Sequence, residues 1–427
     1  MGTCGCGCKT FLVLPRFSQK IRTLQWADRR LGAAACFVAT LWRRLGSWRQ
    51  PPPPAGGYCS LIFIKLTEQG STVLACEAVR AAIVRVGREH VHFLVFEENR
   101  FIVDALGLVP ASNVHTVRTA SAARMLHSCY QTLRAIRRLK IEACVDLEFF
   151  SRSSAVIAFL SGARWRAGFH ADFGAGPYRG DLFTHRVAYN PQLHVSHSFH
   201  SLVRALDAEA MRLPVLDFVS GPHLAPPRFQ CSPAEKPAMR ERLRQLGVPL
   251  ESRLILLNAN AGDLLPLRKW AGRNYVALAQ RLLGEFPEAH IAFTGSADEV
   301  AVIEDYVRAV ASPRCLSLAG RTDLRELLVV YELAEVLVTN DSGPAHFAAL
   351  TAIDVVVLFG PETPALFAAP GPRTHVIWAG IACSPCVSAL NNRQTLCRDN
   401  VCMQRISLDE VTEKAAQIFR KRKAPAE

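Results

Sequence analysis

From Leu61 onward, short apolar runs rich in β-branched residues alternate with amphipathic stretches, and the whole pattern occurs twice. LIFIKL (61–66), HFLVF (92–96), VHTV (114–117) and ACVDLE (143–148) are strand-like. Between the first two, Thr72 to Val86 places Val73, Ala75, Val79, Ala82, Ile83 and Val86 on one helical side. Nearly continuous apolar strands alternating with helices predict a parallel sheet covered on both faces. Leu213 to Pro233 then interrupts the pattern with five prolines and no clear period, as an interdomain connection does. The alternation restarts with LILLN (254–258), HIAFTG (290–295), EVLVTN (335–340), DVVVLFG (354–360) and HVIWAG (375–380), separated by helical stretches near 273–284, 298–311, 323–333 and 342–351. The expected fold class is therefore α/β. Two doubly wound halves, 58–212 and 234–427, are joined by 213–233 and preceded by an extension over 1–57. Ligands belong in the cleft between the C-terminal edges of the two sheets.

A length of 427 residues suits two domains with extensions, and a chain half hydrophobic and one fifth charged is globular. The net charge of +13 is uneven. The first 50 residues hold nine basic side chains against Asp28 alone, a net +8 that leaves +5 for the other 377. The globular body is thus not expected to bind nucleic acid. In RRLGAAACFVATLWRR (29–44) the apolar core, Ala33 to Trp42, is about half the length a membrane-spanning helix requires. Paired arginines flank it and Trp48 follows, which suits a helix lying in the interface of an anionic leaflet. The plainer reading is a solvated arm. A cleaved signal peptide would carry its run earlier, with small residues where Arg43 and Arg44 stand. QPPPPAGG (50–57) is a stiff spacer. The fourteen cysteines show no paired framework; Cys4, Cys6 and Cys8 crowd the start, while Cys76 and Cys144 fall within helix and strand patterns. Buried free thiols in a reducing, cytoplasmic compartment account for most of them.

Neither half opens with a G-x-G-x-x-G turn between strand and helix, and there is no P-loop. Gly174–Ala175–Gly176 follows a polar loop instead. Phosphate would have to be held at other strand ends, and the second half has several. Asn258, Asn260 and Gly262 follow a strand, with Arg268, Lys269 and Trp270 just beyond. Thr294–Gly295–Ser296 leads into Asp298 and Glu299, and Leu318–Ala319–Gly320 precedes a helix. VTNDSGPAHFAAL (338–350) leaves a strand through Asp341, Ser342, Gly343 and Pro344 and enters a helix carrying His346. Gly343 allows close backbone approach, Ser342 can donate to an anion, and Pro344 suits a helix's first turn. Singly, each loop is no more than a helix cap; at one sheet edge they converge on one ligand.

NANAGDLLPLRKW, FTGSADE, LAGRTDLREL, VTNDSGPAHFAALTAIDVVVLFGPETP and CSPC…CM, in that order, resemble glycosyltransferase family 9. This is the family of ADP-heptose:lipopolysaccharide heptosyltransferases, which have the GT-B fold of two Rossmann-like domains. The resemblance runs from about Ser60 to the C-terminus. It implies that Asp341, Ser342, Gly343 and His346 hold the donor's diphosphate and nearby sugar. Arg268 or Lys269 would neutralise the leaving diphosphate in place of a divalent metal. Glu299 would contact the ribose, and Leu318 to Gly320 would line the base. Family members often read G-D-V at the first strand-to-helix turn, with the Asp as general base. Here the turn is Glu68–Gln69–Gly70–Ser71–Thr72, with Ser71 in the Asp position. A serine is no base at neutral pH without one of its own, so Glu68 is the expected base, with Glu97 and Glu98 as runners-up.

Two further clusters stand out. His194, His197 and His200 share a helical face, with no carboxylate or cysteine near them in sequence, so a polar wall of the acceptor side is expected rather than a metal site. Cys383, Cys386, Cys397 and Cys402 read first as free or disulfide-linked thiols and second as a structural zinc site. The expected protein is a monomeric, metal-independent, inverting glycosyltransferase, peripheral on the cytoplasmic membrane face. Its substrates would be a nucleotide-sugar donor and a lipid-linked saccharide acceptor, with no cofactor required. The rival readings are a GT-B-type sugar-nucleotide epimerase and a non-catalytic, membrane-attached saccharide-binding protein.

Overall fold

Every strand of the computed structural model, which describes residues 17–46, 57–171, 177–209, 225–262, 265–391 and 393–422, belongs to one of two six-stranded sheets. The first half contains β1 (Leu61–Ile64), β2 (Val91–Phe96), β3 (Val114–Val117), β4 (Ala143–Asp146), β5 (Trp165–His170) and β6 (His185–Ala188). The second contains β7 (Arg253–Asn258), β8 (Ala289–Phe293), β9 (Cys315–Ser317), β10 (Val336–Asn340), β11 (Asp354–Phe359) and β12 (Thr374–Trp378). Every pairing is parallel, and the orders are β3-β2-β1-β4-β5-β6 and β12-β11-β10-β7-β8-β9. Each order reverses between its first and fourth strand, so the crevices for ligand open beyond β1 and β4 and beyond β7 and β10. All residues of β1, β4 and β10 are buried, as expected of central strands covered on both faces.

The nine strands expected from sequence are present; β5, β6 and β9 were not foreseeable from an apolar run. Arg166, the second residue of β5, hides its pattern. Its buried guanidinium is satisfied by the carbonyls of Leu182 (2.7 Å) and Ala163 (2.5 Å). β6 and β9 are short edge strands.

The N-terminal extension differs most from expectation. Phe17–Gly46 is one helix of 30 residues, far longer than its apolar core, and it is docked rather than free. Asp28 accepts from Ser153 N (2.7 Å) and Arg152 N (3.2 Å), so it caps the start of the Arg152–Leu160 helix. Cys36 and Ala39 are buried against the first half, Thr40 Oγ1 accepts from Asp181 N (2.9 Å), and Arg43 pairs with Asp181. Gly32 is required here, because a Cβ would lie 2.6 Å from Arg152 Cβ. Arg29 reaches across to Gln394 of the second half, whose amide oxygen faces the guanidinium. Among the described residues no helix is long and apolar enough to cross a membrane. The Pro-rich spacer up to residue 56, Cys4, Cys6, Cys8, Gly174 to Gly176 and most of the 213–233 connection lie outside the described residues.

Candidate functional site

A cleft of about 1700 Å³ separates the C-terminal edges of the two sheets. On the second half, the loops after β7, β8, β10 and β11 line it. Asn340, buried at the end of β10, stitches two of these together. Its Oδ1 accepts from Trp270 N (3.0 Å), and its Nδ2 donates to Ala259 O (3.1 Å) and Asn260 O (3.3 Å). Trp270 is in turn fixed by Nε1 donating to Ile406 O (3.0 Å). Arg268 is thereby held in the cleft, 3.7 Å from Asp341 Oδ2, with Nη2 donating to Ala261 O (3.3 Å). Ser342 is extended and makes no side-chain cap; its hydroxyl donates to Asn340 O (3.2 Å), and the residue lines the cleft at the start of the short helix Gly343–Ala348.

Five buried polar atoms of this wall make no hydrogen bond: Asn260 Nδ2, Arg268 Nε and His346 Nδ1, together with Asp341 Oδ2 and Glu362 Oε1, which are ion-paired to Arg268 (3.7 Å) and Arg393 (3.2 Å). Buried groups are nearly always satisfied, and each orphan costs about 1–3 kcal/mol. Such a concentration in one wall marks a place built for a polar ligand. Burial pushes His346 down to about 4, with Arg268 and Arg393 adding to the effect and Asp341 opposing it. The imidazole is therefore neutral at pH 7 and can donate from one nitrogen.

The first half faces this wall with carboxylates that already have partners. Glu68 has a left-handed backbone (φ 63°), strained for a residue with a side chain. Its carboxylate accepts from Ser71 Oγ (3.2 Å), lies 3.6 Å from Lys65 Nζ and pairs with Arg393. Burial alone would raise it, but Arg393 and Lys65 hold it down to about 2. Fully buried Lys65 also bonds Glu148 (3.2 Å), which accepts from Thr67 N (2.8 Å) and which burial pushes upward. Gly70 touches the second half, since a Cβ there would meet His346 Cδ2 at 2.5 Å.

The cleft brings together Glu68, Gln69, Gly70, Ser71, Asn258, Asn260, Arg268, Gly295, Glu299, Asp341, Ser342, Gly343, Pro344 and His346. Several expected residues serve elsewhere. Arg268, not Lys269, lines the cleft, and the Lys269 carbonyl accepts from Asn400. Thr294 is bonded by Asn258 Nδ2 (3.1 Å), while Leu318 and Gly320 brace the Gly295 loop through Leu318 N to Phe293 O and Gly320 N to Gly295 O. Glu299 lines the cleft, but its carboxylate is engaged by Ser296 N (2.7 Å) in a capping box. Glu97 is exposed on the turn after β2 and does not line the cleft; neither does Glu98, whose carboxylate is held by Thr119. His194 is no acceptor wall. It is buried at the start of the Val195–Ala205 helix, with Nε2 3.0 Å from Ala368 O. The fold also brings His197 and His200 a carboxylate, Glu77, at 3.4 and 3.2 Å.

Three residues went unrecognised in sequence. Arg393 comes from the polar stretch between the cysteine pairs, which reads as an exposed loop but folds into the cleft. There it bridges Glu68 and Glu362 (3.2 Å) and stacks over Phe367. Burial pushes Glu362 up to about 7 in spite of Arg393. Glu148 is the third. Cys383, Cys386, Cys397 and Cys402 are free and line one small cavity of about 250 Å³. Among the described residues no three His, Cys, Asp or Glu side chains are grouped to grip a metal ion.

The model of glycosyltransferase family 9 (heptosyltransferase) matches residues 131–396, more than half of the chain. The chain belongs to glycosyltransferase family 9. Lipooligosaccharide heptosyltransferase 2 of Haemophilus influenzae is 28% identical to this family 9 chain over 141 residues. The match covers 32% of this chain and 40% of that protein, so the chain spans about two fifths of that relative's length. Among solved structures, E. coli ADP-heptose lipopolysaccharide heptosyltransferase II has a TM-score of 0.65 at 17% identity, covering 85% of this chain and 99% of that one. E. coli heptosyltransferase WaaC with ADP has a TM-score of 0.57 at 14% identity, covering 84% and 99%. At these identities the likeness is one of fold, the GT-B arrangement of two facing α/β halves.

Proposed function

We propose that this family 9 chain transfers a heptose from ADP-heptose to a saccharide on a lipid carrier, of the lipopolysaccharide-core kind, with inversion at the anomeric carbon. The carrying observation is the cluster of unbonded polar atoms on the second half, with Asn260, Arg268 and His346 as its donors, facing Glu68 across the cleft. Related proteins carry heptosyltransferase names, and one solved relative holds ADP.

In this reading the acceptor hydroxyl attacks the anomeric carbon from the face opposite the diphosphate, and the C–O bond to ADP breaks. The hydroxyl's proton passes to Glu68. Charge on the departing diphosphate is met by the Arg268 guanidinium, a neutral His346 N–H, and Ser342, whose hydroxyl would turn from Asn340 O to the phosphate, so no metal is called on. Arg393 is poised between the two sides. Donor phosphate competing for its guanidinium would release Glu68, raising its basicity at the moment both substrates are present.

The N-terminal helix keeps the protein on the cytoplasmic membrane face. Phe37, Val38, Leu41 and Leu45 are exposed along it, beside exposed Arg44. Calorimetry with a panel of nucleotide sugars tests the reading. Selective binding of ADP-heptose, followed by release of ADP only when a saccharide acceptor is added, supports it. Turnover of the donor without an acceptor would favour an epimerase, and binding without any turnover a saccharide-binding protein.

A further inference from the structure

The cleft is larger than its polar wall needs. Binding sites for small ligands run to about 300–1,000 Å³, and this one reaches about 1700 Å³. The excess lies on the first half, where three helices turn aliphatic stripes into the same cavity. The N-terminal helix contributes Ala27, Leu31 and Ala35, spaced four apart; Ala122–Arg138 contributes Met125 and Cys129; Arg152–Leu160 contributes Val156 and Leu160. Residues four apart stack on one helical face, so each helix offers a continuous apolar strip. The trough is open at its outer end, where Leu31 is 64% and Leu126 is 68% exposed. At its inner end the cavity is continuous with Glu148 and Glu68.

Saccharide hydroxyls need polar partners; the strips themselves are apolar, and the polar side chains of the same helices, Asp28, Arg29, Arg152 and Ser153, lie beside them. Exposed aliphatic surface of this extent is kept where it has an apolar occupant. Trough and reaction site are one cavity, so an apolar chain attached to the reacting group would fill both. Arg29 and Arg152 also line the cavity, and they suit an anionic group at the junction of chain and headgroup.

We infer that the trough between the N-terminal helix and the Ala122–Arg138 and Arg152–Leu160 helices binds the hydrocarbon chain of the acceptor, drawing it out of the bilayer toward Glu68. The inference rests on the glycosyltransferase reading for what is attached to that chain, but not for the binding itself.

The test is calorimetric titration of the full chain with n-alkyl β-glucosides of six, eight and ten carbons below their micelle concentrations, with ADP titrated into the same samples. Affinity should rise about fourfold for each added methylene, as expected for burying a CH₂. Ala35→Trp, which fills the trough, and Leu126→Glu, which charges its mouth, should abolish that rise. Both positions are exposed, and retained ADP binding reports that the variants are folded. Affinity independent of chain length, or a rise unchanged in both variants, overturns the inference. A rise appearing only after removal of residues 1–16 also overturns it, since the chain's own start would then be the occupant. Chain-length dependence without ADP binding sinks the transferase reading and leaves the trough. ADP binding without chain-length dependence does the reverse.

Discussion

The two halves share one strand order and present the same loops to the cleft, yet they use them in opposite ways. In the second half the strand-end loops are braced from behind by Asn340 and Trp270, and polar atoms at their tips are left unbonded. In the first half the charged groups are spent on each other, with Lys65 between Glu68 and Glu148 and Arg393 reaching over from the opposite side. The wall with open valences is preorganised for a ligand of fixed chemistry. The wall with closed valences must be prised open, so it can gate on whatever displaces Arg393.

Substitutions can break this contrast at several points. Glu68→Gln carries the largest expected effect, a fall in turnover of roughly 10²–10⁴-fold with ADP affinity held within about twofold. Single-turnover kinetics beside calorimetry separates the two, and unchanged turnover would move the proton acceptor to Glu148. Arg268→Ala should cost roughly 10²–10³-fold in kcat/KM and weaken ADP as well, because it empties a position on the open wall. Intact ADP affinity would contradict the assignment of that wall to the diphosphate.

A pH series on stability sharpens the comparison further. Folding holds His346 near 4, below its usual 6.5, so its contribution is present above 6.5 and lost as pH falls toward 4. Glu362 is held near 7, above its usual 4.5, so its contribution is present below 4.5 and lost as pH rises toward 7. The two slopes oppose each other in one window. Glu362→Gln removes one, and stability should then rise with pH from about 4 to 6.5 by on the order of 3 kcal/mol more than in the unsubstituted protein. Denaturant midpoints across that range measure it, and parallel curves would refute it. The smallest effect belongs to the helix outside the cleft. Leu41→Ser with Leu45→Ser should weaken binding to anionic vesicles roughly tenfold while leaving ADP binding alone, read by vesicle sedimentation.

Much of the open wall was legible in sequence because each of its parts is local. A strand ends, a small or polar residue follows, a helix begins, and Asn260, Arg268, Ser342 and His346 all sit within such units. The closed wall was less legible because its meaning lies in pairings between distant segments. Nothing near Arg393 announces that a polar loop will bury it against Glu68, 325 positions earlier. Glu148 reads as the tail of a strand until Lys65 stands beside it. His194 shows the converse error: helical spacing reports a shared face, but not that the residue closes a helix start and bonds a carbonyl of the other half. The N-terminal helix was underestimated for a similar reason. Its apolar core is short, but Asp28, Thr40 and Arg43 anchor it through polar contacts that hydropathy does not register.

Gly70 offers a practical handle on the molecule. It packs against the His346 ring of the other half, where a Cβ would lie 2.5 Å from Cδ2. A single methyl at that position is a wedge one carbon thick. An alanine there would force the His346 ring or the contact between the halves to give way, so one methyl probes how tightly the two walls are joined.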